Sequence, residues 1–198
     1  MYKRLALYGA GGHASEVIAQ LKSMNYKVHK LFVDAPYVKA GFDSINSFNP
    51  DEYLLMIPVS DSQAREKMVN KLPKETEFFS FVHPTALIME PETIQWGNGV
   101  FIGAYSILTV DIHLGDHAIL NRGVHLGHGC RIGNYFSAMP SSVVSGDVVI
   151  GNRVYLGTNA SVKEKIKICD DVTIGMNSPV HHNITESGIY VGDNLRKI

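Results

Sequence analysis

The first part of the chain places apolar residues at alternating strand-like and helix-like spacings. An apolar run over residues 3–8 predicts a strand that enters a glycine cluster, and Val17, Ile18 and Leu21 have the spacing of one helix face. The same reading predicts strands over 28–33 and 53–59 and a helix over 61–72. We therefore expect an α/β N-terminal mononucleotide-binding (Rossmann-like) domain over residues 1–82.

A six-residue apolar period replaces this pattern in the rest of the chain. Every sixth residue from Ile102 to Val180 is apolar, and the position four residues further on is small or apolar. Residues 84–185 divide into 17 such hexads without an insertion. Glycine often follows the leading residue, as at Gly103 and Gly157, and we expect it there because it permits a sharp corner.

A strict period of six is typical of a parallel β-helix and cannot come from an α-helix. Each hexad supplies one short strand and one corner, and three hexads close one coil. The sequence therefore predicts an all-β parallel β-helix of hexapeptide repeats over residues 83–198. Residues eighteen apart should stack in adjacent coils at roughly 4.8 Å, the spacing of paired strands.

Composition and charge narrow the classes of partner. Lysine and arginine number 18 against 19 acids, and no basic stripe follows any segment, so nucleic acid is not an expected partner. No apolar run approaches the roughly 20 residues of a membrane span. Cys130 and Cys169 lie far apart behind an N-terminus without a cleavable apolar segment, which favours a reduced cytoplasmic setting.

The glycine cluster over residues 9–14 fits the pattern G-x-G-x-x-A between a strand and a helix. Glycine lets the backbone approach a phosphate, and free amides at a helix N-terminus donate to it, so Gly11, Gly12 and His13 are expected diphosphate contacts. Asp34 follows about 20 residues later, at the end of the next strand. The same pattern fits an NAD-binding oxidoreductase, although residues 1–82 lack a second mononucleotide-binding half, and also a tight turn without a ligand.

Three segments together resemble one family. They are GAGGHA over residues 9–14, the pair His83-Pro84, and YVG over residues 190–192. Over essentially its whole length the chain resembles bacterial hexapeptide-repeat sugar acetyltransferases of the sialic acid O-acetyltransferase / UDP-4-amino-sugar N-acetyltransferase family. The resemblance implies a left-handed β-helix, acetyl-CoA as co-substrate between the subunits of a homotrimer, a nucleotide-sugar acceptor at the glycine loop, and a histidine base.

Matching this family's pattern residue by residue implies a set of site positions. His128 takes the place of the base, which an amine or hydroxyl attacking a thioester requires. Asp34 would hydrogen-bond the base or ribose, and Ser60, where the family usually has glycine, would line the same pocket. The implied CoA contacts are Ser137, where the family has histidine, and Gly146, Thr158 and Met176.

One departure lies beside the base, because the family usually has an acid directly after the histidine and this chain has Gly129. Stacking places Asp147 one coil above Gly129 and Asp111 one coil below it. We hypothesise that Asp147, or else Asp111, orients His128. Gly146 stacks over His128, and we expect its missing side chain to leave a slot beside the imidazole for the thioester arm.

These features together predict transfer of an acetyl group from acetyl-CoA to the amine of a UDP- or dTDP-linked deoxyamino sugar. The alternatives are O-acetylation of a sialic-acid-like sugar, an NAD-binding oxidoreductase, and a non-enzymatic trimer scaffold with His128 as an ordinary exposed residue.

A zinc site of the gamma carbonic anhydrase type needs two histidines five residues apart on one coil. His113, His117, His125 and His128 contain no such pair, so no metal is expected.

Overall fold

The computed structural model describes residues 2–198. By its internal contacts the chain divides into two compact units. The first contains the chain up to Ser60 together with Ala64–Ser80, and the second contains Asp61–Gln63 together with Phe81–Ile198. In residues 2–198 no helix is long and apolar enough to cross a bilayer.

The first unit is built on a four-stranded parallel sheet. Its strands are β1 (Arg4–Tyr8), β2 (Lys30–Val33), β3 (Asp43–Ser44) and β4 (Tyr53–Met56), and its sheet order is β3-β2-β1-β4. The predicted helices are present as α1 (Gly12–Ser23) and α2 (Ser62–Val69), and the first two residues of α2 belong to the second unit. The sequence did not predict β3, because two residues carry no periodicity.

Buried apolar side chains on both faces hold this sheet. Leu7 and Leu55 are completely buried, and α1 buries Val17 and Leu21. Burial on both faces is what a parallel sheet with covering segments requires, and it explains the continuous apolar runs of β1 and β4. The glycine loop therefore leaves the sheet from the carboxyl end of a rigid strand.

The second unit is a parallel β-helix with three walls, which confirms the predicted fold class. The first wall contains β5 (Phe81–Val82), β8 (Phe101–Ile102), β11 (Ile119–Leu120), β14 (Ser137–Ala138), β17 (Tyr155–Leu156), β20 (Val172–Ile174), β22 (Gly188–Val191) and β23 (Arg196–Lys197). The second contains β6 (Leu87–Ile88), β9 (Ile107–Leu108), β12 (His125–Leu126), β15 (Val143–Val144), β18 (Ser161–Val162) and β21 (Pro179–Val180). The third contains β7 (Gln95–Trp96), β10 (His113–Leu114), β13 (Arg131–Ile132), β16 (Val149–Ile150) and β19 (Lys167–Ile168).

The central coils repeat every eighteen residues, as predicted. Leu114 pairs with Ile132, and Ile132 pairs in turn with Ile150. The leading aliphatic residues and the small residues four positions later fill one continuous core inside the prism. The left-handed sense of the coil stays a prediction.

The first coil departs from this register. Leu87 pairs with Ile107, twenty residues later, whereas Gln95 pairs with His113, eighteen residues later. The two additional residues lie between β6 and β7, where the 3₁₀ helix Pro91–Thr93 enlarges a corner. The expectation of 17 uninterrupted hexads is therefore wrong at this end.

The last coil is shorter than the others. Val172 pairs with Gly188, sixteen residues later, and Ile168 bridges to Ile184 at the same separation. The following strand, β23, then pairs antiparallel with β22. The hexad register thus ends before residue 185.

The glycines that follow the leading residues have a different role from the one predicted. The left-handed backbone of each corner falls two residues later, as at Tyr105 with φ 60° and Asn159 with φ 59°. Gly103 and Gly157 are not left-handed, but a β-carbon there would lie 2.9 Å and 2.6 Å from backbone nitrogens of the next coil. Glycine is thus selected by the close approach of two coils, and the expectation of a corner role is wrong.

Candidate active site

His128 lies on the corner between β12 and β13, where its side chain is 64% exposed. Its Nδ1 is 3.7 Å from Oδ1 of Asp147, one coil above. The backbone fixes this approach, because the amide of Asp147 donates a 2.7 Å hydrogen bond to the carbonyl of His128. The β-helix thus brings an exposed imidazole next to a carboxylate from the neighbouring coil.

Gly129 makes room for that carboxylate. A β-carbon at Gly129 would overlap Oδ1 of Asp147, so the carboxylate occupies the space of the missing side chain. Gly129 and Asp147 both have left-handed backbones, with φ 68° and 59°. Asp147 of the coil above therefore supplies an acid at the side-chain position of Gly129, where the coil of His128 has none.

Gly146 has an equally close relationship with the imidazole. A β-carbon on Gly146 would overlap Nε2 and Cε1 of His128, so the ring lies directly against the backbone of the next coil. The expected slot for a thioester is wrong in this respect, because the imidazole itself fills the space. Gly146 is needed for the observed position of the His128 ring.

Asp111, the other candidate for orienting His128, is held by an arginine. Nη2 of Arg131 donates to Oδ1 and Oδ2 of Asp111 at 2.9 and 3.1 Å. Nη1 of Arg131 also donates to the backbone carbonyl of Asp111 at 2.6 Å. The arrangement favours Asp147 over Asp111 as the partner of the imidazole.

The remaining β-helix positions of the predicted site differ in exposure. Thr158 and Met176 lie on the corner after the first wall in successive coils, and both side chains are exposed. The amide of Asn177 donates to the carbonyl of Thr158 at 2.9 Å and fixes this stacking. Ser137 is fully buried, and its Oγ accepts a 3.2 Å hydrogen bond from Ser62 of the same unit. This burial does not favour direct contact of Ser137 with CoA.

The glycine loop of the first unit has an open backbone. Gly11 precedes α1 and Gly12 is its first residue, and a β-carbon on either would meet no atom within 4 Å. The start of a helix of this length offers free amide donors to an anion. His13 follows in the first turn, with Nδ1 3.7 Å from Glu16.

Asp34 follows β2 and is held by two side chains. The hydroxyl of Tyr8 and the ammonium of Lys71 donate to the same oxygen, Oδ1, at 2.9 and 2.8 Å. The hydrogen bond from Lys71 is the main cause that lowers the pKa of Asp34. Burial, followed by the hydrogen bond to Asp34, raises the pKa of Tyr8 above its ordinary value. Asp34 is therefore an oriented carboxylate.

Two cavities flank the segment after β2. One, of about 540 Å³, is lined by Gly11 and aromatic residues such as Tyr37, and the other, of about 630 Å³, is lined by Asp34 and Lys71. Pro36 lines both. Ser60 is half-buried and lines neither of these two cavities.

Sequence reasoning missed two partners of site residues. Lys71 lies 37 positions from Asp34 and carries no local signal. Arg131 lies twenty positions from Asp111, and coil stacking alone could have placed the two in adjacent coils. Within residues 2–198 no group of three His, Cys, Asp or Glu side chains is placed to hold a metal ion.

Two family models match separate parts of the chain. The PglD N-terminal domain matches residues 4–72, and the hexapeptide repeat of succinyl-transferase matches residues 97–134 and 147–181. These matches coincide with the α/β unit and with the β-helix.

Solved structures share the whole fold. PerB from Caulobacter crescentus, solved in complex with CoA and GDP-perosamine, is 25% identical with a TM-score of 0.89, over 100% of this chain and 98% of that chain. The acetyltransferase domain of PglB from Neisseria gonorrhoeae, in complex with acetyl coenzyme A, is 21% identical with a TM-score of 0.86 over 100% of both chains.

Curated relatives match shorter regions. GDP-perosamine N-acetyltransferase of Escherichia coli O157:H7 is 24% identical over 76% of this chain, which spans 63% of that protein. UDP-3-O-acylglucosamine N-acyltransferase of Bordetella avium is 36% identical over 48% of this chain, which spans 28% of that protein.

Proposed function

Because this chain belongs to the PglD-like hexapeptide-repeat family, we propose that it transfers an acetyl group from acetyl-CoA to the amine of a nucleotide-linked deoxyamino sugar. The observation that carries the proposal is the exposed imidazole of His128, with Asp147 3.7 Å from its Nδ1. An acyl transfer to an amine needs a base at this kind of site, because the attacking nitrogen must lose a proton. The relative named GDP-perosamine N-acetyltransferase, and the PerB structure that contains CoA and GDP-perosamine, support the same reaction class.

His128 acts as the base through Nε2. Asp147 faces Nδ1 and stabilises the tautomer that carries its proton there, so Nε2 keeps its lone pair. Acetyl-CoA supplies the acetyl group as a thioester, whose C–S bond breaks as the amine nitrogen bonds to the carbonyl carbon and CoA leaves as the thiol. His128 removes the proton that the nitrogen loses, is held next to Asp147 as an imidazolium, and then donates this proton to the departing sulfur, so that CoA leaves as the thiol and the imidazole is neutral again.

The other predicted positions divide between the two substrates. Thr158 and Met176 expose side chains along one corner of the β-helix, where they suit the extended arm of CoA. Gly11 and Gly12 offer open backbone to a diphosphate, and the oriented carboxylate of Asp34 suits a donor on the base or ribose. The nucleotide is UDP, dTDP or GDP in this proposal.

A thiol-release assay with acetyl-CoA tests the function. The acceptors are UDP-, dTDP- and GDP-linked amino sugars and free sialic acid, and the proteins are wild type, His128→Ala and, as a matched exposed histidine, His113→Ala. We expect release with an amino sugar, lost by about 100-fold or more in His128→Ala only. Thiol release with sialic acid alone would contradict N-acetylation. Full activity of His128→Ala would contradict the role of His128 as the base.

We also propose a homotrimer, since an exposed β-helix edge gains from burying a face against a second copy. Val143 and Val149, on the two strands that flank Asp147, are 37% and 41% exposed. Light scattering of the purified protein measures the assembly, and a monomer at micromolar concentration contradicts this part of the proposal.

A further inference from the structure

We propose that Arg131 is a positioning residue that leaves one carboxylate, Asp147, rather than two, acting on His128. The inference rests on the proposed role of His128 as the base. It concerns the charge around the imidazole and can be measured without turnover.

The repeat brings two acids to equivalent places on either side of the base. Asp111, Gly129 and Asp147 occupy the same corner position in three successive coils, with left-handed φ values of 52°, 68° and 59°. The amide of Gly129 donates to the carbonyl of Val110, and that of Asp147 to the carbonyl of His128. One carboxylate therefore lies in the coil above the imidazole and one in the coil below.

Arg131 binds only one of these two acids, Asp111, in the hydrogen bonds that the described residues show. Its guanidinium makes three hydrogen bonds to Asp111, two to the carboxylate and one to the backbone carbonyl, and a fourth, of 3.2 Å, to the carbonyl of Cys130. The charge of Asp111 is thereby paired and its position fixed by a planar group that suits a carboxylate. Asp147 is left to face His128.

The other charged or titratable groups around the corner lie on elements that a change at Arg131 leaves in place. Lys165 stacks above Asp147, since its amide donates to the carbonyl of Gly146, and Glu164 precedes it with the opposite charge. His125 lies on β12, before the corner, and His113 pairs with Arg131 between β10 and β13.

Loss of the guanidinium changes the balance at the imidazole. It removes the partner of Asp111, so that carboxylates without an arginine partner then lie in the coil above and in the coil below His128. A second free carboxylate favours the imidazolium, which cannot accept a proton from the substrate. Arg131 thus keeps the carboxylate of Asp111 from acting on the base.

Histidine NMR titration of the full-length protein tests this directly. Ring signals of His128 are assigned by their absence in His128→Asn and are followed from pH 5 to 9 in wild type, Arg131→Met, Asp111→Asn and the double variant. We expect the His128 midpoint of Arg131→Met to move upward by about half a pH unit, and to return most of the way in the double variant. Lys167→Met is the matched control, because Lys167 lies two coils further along the same wall, and its midpoint should equal that of wild type.

Each result has a defined meaning. A midpoint in Arg131→Met that stays within measurement error of wild type overturns the inference. A shift of the same size with and without Asp111→Asn also overturns it, because Arg131 would then act alone. The thiol-release assay on the same samples reports separately on the proposed function, since the titration does not depend on turnover.

Discussion

Asp147 places its carboxylate where a side chain at Gly129 would be. The two residues belong to adjacent coils, yet they share one position beside the imidazole of His128. The acid next to this imidazole therefore comes from the next coil, and only glycine at position 129 leaves room for it. This relationship leads to the first two predictions.

Asp147→Asn should lower turnover by well over tenfold, because the amide cannot balance the charge of the imidazolium that forms during transfer. Asparagine tolerates the left-handed backbone as aspartate does, so the melting temperature should change little. Steady-state thiol release and thermal unfolding measure the two effects. Glu164→Gln, which removes the same charge from the next coil, is the control, and an equal loss there would contradict a specific role.

Moving the acid to the lower coil should restore activity. Asp147→Gly removes the carboxylate, and adding Gly129→Asp supplies one from the same coil as His128, in the space that Asp147 vacates. We expect the turnover of the double variant to be at least about tenfold higher than that of Asp147→Gly. Gly129→Asp alone brings two carboxylates into overlap and should reduce stability. No recovery in the double variant would show that the acid works only from the upper coil.

Gly146→Ala should reduce activity more than stability. The new methyl group overlaps the imidazole, and the exposed ring can turn away toward solvent, so the base is displaced while the coil remains intact. Gly127→Ala is the matched comparison, because its β-carbon would lie 2.7 Å from the backbone nitrogen of Gly146, which cannot turn away. We expect Gly127→Ala to lower the melting temperature by several degrees and Gly146→Ala to leave it nearly unchanged. The reverse order would contradict this geometry.

Gly11→Ala should weaken binding of the nucleotide sugar without unfolding the α/β unit. The backbone of Gly11 has φ −82°, which alanine adopts freely, and the space around its β-carbon is open. A methyl group there stands between the helix start and a diphosphate, so we expect KM for the acceptor to rise about tenfold or more. KM for acetyl-CoA serves as the internal control and should stay constant. An unchanged KM for the acceptor would exclude the loop as its diphosphate site.

The ion pair of Asp34 with Lys71 should make stability depend on pH in the acid range. The folded-state pKa of Asp34 is lowered, so its contribution is present above the unfolded value of about 3.9 and is lost as the pH falls through the folded value. The difference in unfolding free energy between wild type and Asp34→Asn should be constant from pH 7 to about 5 and shrink below about 4. Urea unfolding at pH 3 to 7, with Asp51→Asn as an exposed control acid, measures it. An equal difference at pH 3 and pH 7 would contradict the assignment.

Much of the β-helix was predictable, because each hexad repeats one local rule. The leading aliphatic residues fix the inward face, and the eighteen-residue stacking that follows from them predicts Asp147 above Gly129. The glycines were found for the wrong reason, since the sequence shows where glycine recurs but not which neighbour excludes a β-carbon. The enlarged corner at Pro91–Thr93 is not predicted, because two inserted residues still leave apolar side chains close to the hexad positions.

Side-chain partners across distant segments were less predictable. Lys71 reaches Asp34 from the end of the α/β unit, and Arg131 reaches down one coil to Asp111, because of long flexible side chains rather than periodicity. The buried Ser137 accepts a hydrogen bond from Ser62, which lies 75 positions earlier. Such contacts follow from packing, which a repeat pattern does not encode.

The antiparallel strand β23 affects how one β-helix could pair with another at its end. A parallel β-helix with a full final coil would present an unpaired edge in the register that the next coil needs, and identical molecules could add to it as fibrils grow. Here the sixteen-residue last coil breaks that register, and β23 runs against the direction of every other strand of the first wall. The first wall therefore ends, within the described residues, on a strand that a further parallel coil could not continue in register.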